Sequence, residues 1–196
     1  MVHFSPLQII LVSVIALLAV SLPTWVLWLA GKKVPPALTC AGRRSGFSGS
    51  LVLFTATLVF FFLYWVIYTA VDAAQAYRIF QFSSDYAWWQ ILSPMVPDVL
   101  FILCFGYVIV RLTLARKAKV VGEAIAAVWV LGPVASLASF FLYFTNDLNV
   151  PGLFSSVIYA VAASFYLALS DRVQLTYGTK RGRKLPPLAI PKKQAN

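Results

Sequence analysis

Few side chains in this chain of 196 residues are equipped for chemistry, and their types narrow what that chemistry is. Six acids stand against sixteen Lys and Arg, His3 is the single histidine, and Cys40 and Cys104 are the two cysteines. One histidine excludes a haem held within the chain by two axial imidazoles. With two thiols it also leaves no ligand set for zinc or an iron–sulfur cluster, and no Ser-His-Asp relay. No metal or cofactor is therefore expected. Cys40 falls in a cationic loop and Cys104 inside an apolar run, so no disulfide is expected to join them.

The residue best placed to act is Asp98, a carboxylate about one turn inside an apolar stretch, where an acid is costly and often marks an ion or proton path. A structural role is open to it as well, because the free N–H groups of a helix start favour a carboxylate. Glu123 opens a later apolar run shortly after Lys117 and Lys119 and is expected to pair with them. A transport site would draw on Asp98, Cys104, Tyr107 and Trp129, and a lipid-modifying site on Asp72, Arg78, Asp85 and Asp98.

The elements that must position these residues are membrane helices. The sequence is 61% hydrophobic and 11% charged, with mean hydropathy +0.83, whereas about a quarter of a soluble domain is charged. Five apolar stretches, 7–30, 50–71, 94–111, 120–143 and 151–169, are each long enough to cross a hydrocarbon core about 30 Å thick at about 1.5 Å per residue. Ser5-Pro6 and Ser93-Pro94 are cap-and-first-turn pairs, with Pro97 still in the tolerated first turn. Pro23 and Gly132-Pro133 predict bends. The first stretch is too long, and too poor in preceding cations, for a cleaved signal peptide. After Asp72 closes the second span, residues 72–90 turn amphipathic and end in Tyr86, Trp88 and Trp89, as in an interfacial segment. Trp25, Trp28, Trp65, Tyr68 and Tyr143 fall near expected headgroup layers, while Trp129 lies deeper.

Cation placement orients the spans. Loop 31–49 carries four Lys or Arg, turn 111–119 carries four and the segment after Ser170 carries seven, leaving only Arg78 for the other side. Positive-inside bias then predicts an all-α bundle of five transmembrane helices with the N-terminus outside and the C-terminus in the cytoplasm. Residues 1–179 form one membrane domain and 180–196 a basic, proline-containing tail. Each tail cation contributes about 1 kcal/mol of attraction to an anionic inner leaflet, and the prolines also suit extended docking on a protein. The basic charge does not point to nucleic acid, because no basic helix is interleaved with stacking aromatics.

In the fifth span Gly152, Ser156, Ala160, Ser164 and Ala168 recur every four residues, a face that lets another helix approach closely. Gly132/Ser136 and Ala135/Ser139 repeat the pattern in the fourth. The stripe serves either the packing of these two neighbours or a partner subunit. Where the last span leaves the membrane the sequence reads YLALSDRVQLTYG. Phe165-Tyr166 forms an aromatic pair, Ser170, Arg172 and Val173 follow as Ser-x-Arg-Val, and Thr176-Tyr177 closes the run. This resembles the C-terminal signature of a bacterial family of small polytopic membrane proteins, with Tyr177 in place of the family's Phe. LTLARKAK (112–119) is similar to that family's cationic turn, and the resemblance covers about residues 88–178. No activity is assigned to the family, so the resemblance implies residence in a bacterial inner membrane and no mechanism. The sequence thus leads to a non-catalytic accessory or assembly subunit of an inner-membrane complex, with a small transporter or channel and a lipid-modifying enzyme as alternatives.

Overall fold

The computed structural model describes residues 6–40, 43–82, 95–137 and 150–186. Six α-helices follow in order: α1 Pro6–Lys33, α2 Ser50–Phe82, α3 Val96–Leu114, α4 Ala118–Trp129, α5 Val150–Leu169 and α6 Asp171–Tyr177. A π-helical turn, Val130–Val134, extends α4, and a 3-10 turn, Gly182–Lys184, follows α6. No strand occurs among the described residues. Five of the helices are long and apolar enough to cross a membrane, and the chain is a multi-pass, all-α membrane protein.

Three boundaries differ from the sequence reading. The second span does not end at Val71: α2 continues without a break to Phe82. At about 1.5 Å per residue it is about 50 Å long, some 20 Å more than a hydrocarbon core. Asp72 interrupts the apolar pattern but not the helix, because Ala73, Ala74, Gln75 and Ala76 are good helix formers that need no lipid contact. Tyr86, Trp88, Trp89 and Asp85 lie outside the described residues. The third helix begins at Val96 with Pro97 in its first turn and runs on to Leu114, while Ser93 and Pro94 lie outside the described residues. Beyond the fifth span, where the sequence reading placed no further helix, the chain folds into α6, and a 3-10 turn lies at the start of segment 180–196, of which residues 187–196 lie outside the described residues.

The bend expected at Gly132-Pro133 takes the form of the π turn. Pro133 has no N–H to give to the helical ladder, and the Ala135 N–H reaches back to the Val130 carbonyl, widening the helix by one residue. The fourth helix is described to Leu137, so Tyr143 lies beyond the described residues.

The core gathers at the end of the bundle where the cations lie. Leu51 and Leu58 of α2, Leu112 of α3, Ala124 of α4, Ala160 and Leu167 of α5, and Val173 and Tyr177 of α6 are all buried. Leu17 and Leu18 of α1, Leu53 and Ile67 of α2 and Leu103 of α3 are exposed. In a bilayer such side chains meet acyl chains, which are as apolar as leucine.

Candidate functional site

Polar side chains collect at the two ends of the bundle. At the basic end, helices α1, α3 and α5 all present their C-termini, whose last carbonyls have no partner within the helix and carry partial negative charge. The segments between and after the spans supply the donors. Arg116, in the turn between α3 and α4, donates from Nη1 to the Leu112 carbonyl at 2.9 Å and from Nη2 to the Gly31 carbonyl at 2.8 Å. The Tyr177 hydroxyl donates to the same Leu112 carbonyl at 2.6 Å. Gln174 Nε2 donates at 2.9 Å to the carbonyls of both Leu167 and Ala168, ending α5.

The Arg116 guanidinium lies between the Phe47 and Tyr177 rings, 5.5 and 5.8 Å from their centroids, a cation–π arrangement. Its Nε is buried without a hydrogen-bond partner. Burial draws this guanidinium below its ordinary pKa, and the neighbouring Tyr177 opposes the shift. Burial likewise pushes the Tyr177 phenol well above its usual range. A guanidinium keeps its proton throughout the physiological pH range, so Arg116 sets a positive charge among helix ends and rings.

Loop 34–49 closes over this centre. Ala37 and Leu38 donate their N–H groups to the carbonyls of Thr176 and Leu175, both at 3.0 Å, and the Gly46 N–H bonds Thr176 Oγ1 at 2.9 Å. Arg172 reaches the Ser48 carbonyl, and Arg43 pairs with Asp171. Gly178, at φ 65°, takes the left-handed conformation that ends α6 and that glycine adopts without penalty. Gly182 has no room for a Cβ, which would run into the Gln174 carbonyl. The turn beyond α6 is fixed further by Arg43 Nε to the Pro186 carbonyl at 3.0 Å and Cys40 Sγ to the Leu185 carbonyl at 3.8 Å. The signature residues thus occupy one hub: Ser170 precedes α6, Arg172 ties the loop, and Val173, Thr176 and Tyr177 are buried.

Comparison with known proteins finds no matching family, no matching curated protein and no matching solved structure. The reading of the site rests on its own geometry.

Glu123 belongs to the basic end, with a main partner other than the one expected. Its carboxylate takes Arg111 in a forked contact, Nε and Nη2 at 3.1 Å from Oε2 and Nη2 at 3.2 Å from Oε1. Lys119 adds a looser contact at 3.7 Å, and Lys117 makes no ion pair among the described residues. The short turn after α3 folds α4 back beside it, so Arg111 faces Glu123 in the second turn of α4 although Lys117 is nearer in sequence.

The small-residue stripe of α5 meets α4 and its π turn. A Cβ placed on Gly132 would lie 3.5 Å from Ser156 Cβ, Ala160 is fully buried, and Trp129 Nε1 donates to Ser164 Oγ at 3.0 Å. Gly152 is half-buried at the start of α5, and Ala168 is exposed at its end.

At the opposite end the structure assembles a group that the sequence does not reveal. Helices α2 and α3 run antiparallel, with Phe61 stacked on Phe105 at 6.3 Å and Trp65 edge-on to Phe101 at 5.1 Å. That register places Tyr68 and Thr69 level with Asp98, and Asp72 one turn further out on the same face of α2. Tyr68, Asp72 and Asp98 stand close enough to one another to interact electrostatically. Thr69 is only 9% exposed, and its hydroxyl has no hydrogen-bond partner. By contrast, the buried threonines 24, 55 and 113 each bond a carbonyl one turn back, at 2.7, 2.9 and 2.8 Å.

The residues expected to line a transport path do not converge. Tyr107 is exposed on the flank of α3, Trp129 is tied to Ser164, and the body of α3 between Asp98 and Arg111 is apolar apart from Cys104 and Tyr107. Of the acids and base suggested for lipid chemistry, Asp72 and Asp98 come together, whereas Arg78 is exposed on another face of α2 and Asp85 lies outside the described residues.

Proposed function

We propose that the chain is a non-catalytic accessory or assembly subunit of a complex in a bacterial inner membrane, oriented with the hub in the cytoplasm and α1 entering from outside. The observation that carries this reading is the construction of the hub. Three helix ends, loop 34–49 and α6 are bonded into one body, and from it the turn after α6 holds Lys180, Arg181, Arg183 and Lys184 exposed. None of these four makes an ion pair among the described residues. A fixed group of cations suits an anionic leaflet or an acidic surface on a neighbouring subunit, and a mobile basic tail would not need so many hydrogen bonds to hold it. The orientation is supported by the charge distribution, because every Lys and Arg among the described residues except Arg78 falls on segments at the hub end, which positive-inside bias puts in the cytoplasm.

Extraction of native membranes in mild detergent after treatment with a short amine-reactive cross-linker tests this reading. A reproducible partner is expected, captured through the Lys180–Lys184 turn and lost when Lys180, Arg181, Arg183 and Lys184 are all replaced by Gln. A monodisperse monomer with no recurring adduct would contradict it.

A further inference from the structure

We infer that Asp72 and Asp98, with Thr69 Oγ1 and the Tyr68 hydroxyl, form a binding site for a hard divalent cation of the calcium type at the end of the bundle opposite the hub. The register of α2 against α3 brings two carboxylates from different helices within electrostatic range of each other, and no Lys or Arg pairs with either among the described residues. Such a pair placed at a membrane interface costs free energy unless a positive charge is shared between its members.

The second observation is independent of the acids. Thr69 holds a buried hydroxyl with no acceptor or donor, although a bond to the carbonyl one turn back is the usual outcome for a helical threonine. Thr69 follows Phe61 and Trp65 at four-residue spacing on the face of α2 that packs on α3, level with Asp98, so an oxygen unclaimed by protein is buried in the same helix–helix seam as the two carboxylates. Carboxylate and hydroxyl oxygens with no sulfur or nitrogen ligand select a hard cation. An irregular set completed by water suits calcium, which takes about six to eight oxygens in flexible geometry, better than magnesium, which demands a near-ideal octahedron. A cation there would fasten the extended part of α2 to the start of α3.

Terbium, a luminescent substitute for calcium, tests the site in the full chain reconstituted in nanodiscs of zwitterionic phosphatidylcholine, whose headgroups carry no net charge. Trp65 and Tyr68 are placed to sensitise it. Saturable luminescence is expected, displaced by calcium with a midpoint of about 10⁻⁴ to 10⁻³ M, the range of low-charge extracellular sites. Asp72→Asn and Asp98→Asn are each expected to weaken binding at least about tenfold, and Thr69→Val to weaken it by less. Calcium should raise the melting temperature of the parent chain but not that of D72N/D98N, a readout that also verifies that the variant is folded. Titrations of the variants that superimpose on the parent, or a calcium-induced shift that persists in D72N/D98N, would overturn the proposal.

Discussion

Replacing Tyr177 by Ala is expected to destabilise the folded chain by about 3–5 kcal/mol, the range for truncating a fully buried aromatic side chain. Tyr177 is 1% exposed, its ring covers one side of Arg116, and its hydroxyl bonds the Leu112 carbonyl that ends α3. Truncation opens a cavity between α3 and α6 and uncovers a guanidinium whose Nε already lacks a partner. Tyr177→Phe separates packing from hydrogen bonding. It keeps the ring, and the Leu112 carbonyl still receives Arg116, so a loss of about 1 kcal/mol is expected. Thermal unfolding of purified protein in one detergent, comparing the two variants with the parent, measures both. Were residues 170–186 a loosely attached extension, both variants would melt with the parent.

The second large effect is expected at Ala160. This residue is fully buried on the stripe whose neighbours Ser156 and Ser164 meet Gly132 and Trp129 of the fourth span. Leucine at this position adds three carbons to a close helix contact, and overpacking of this kind costs about 1–3 kcal/mol, with the Trp129–Ser164 hydrogen bond expected to break as the helices part. Ala168→Leu, at the exposed end of the same stripe, is expected to change stability by less than about 0.5 kcal/mol. The contrast distinguishes internal packing from partner docking. If the stripe were reserved for another subunit, A160L would leave the isolated chain unchanged and A168L would disturb only the complex.

The five spans were legible because length and hydropathy are local properties, and the gathering of charge at one end was legible because alternate connections of a bundle must emerge on the same side. The disruption at Gly132-Pro133 followed from a missing N–H, which needs no tertiary information. Continuation of α2 past Asp72 was not legible from the apolar pattern, since the pattern ends where the helix leaves lipid while alanine and glutamine carry the backbone on. The burial of Gln174, Thr176 and Tyr177 also escaped pattern reading. Their polar groups look suited to water, and only the fold reveals that they end helices α3 and α5 and receive the N–H of Gly46. Glu123 shows how sequence distance misleads, as a turn returns Arg111 to it from twelve residues away. The Asp72–Asp98 pair required the register of α2 against α3, set by the Phe61–Phe105 and Trp65–Phe101 contacts, and no feature of either helix alone specifies that register.

The proposed orientation joins the charge count, the hub and the acidic pair, and single-cysteine labelling of intact cells tests it most directly. In a background with Cys40→Ser and Cys104→Ala, Y77C on the exposed extension of α2 is expected to react with a membrane-impermeant maleimide in intact cells. K184C on the turn beyond α6 is expected to react only after the membrane is permeabilised. The reverse pattern, with K184C labelled from outside and Y77C protected, would contradict a cytoplasmic hub.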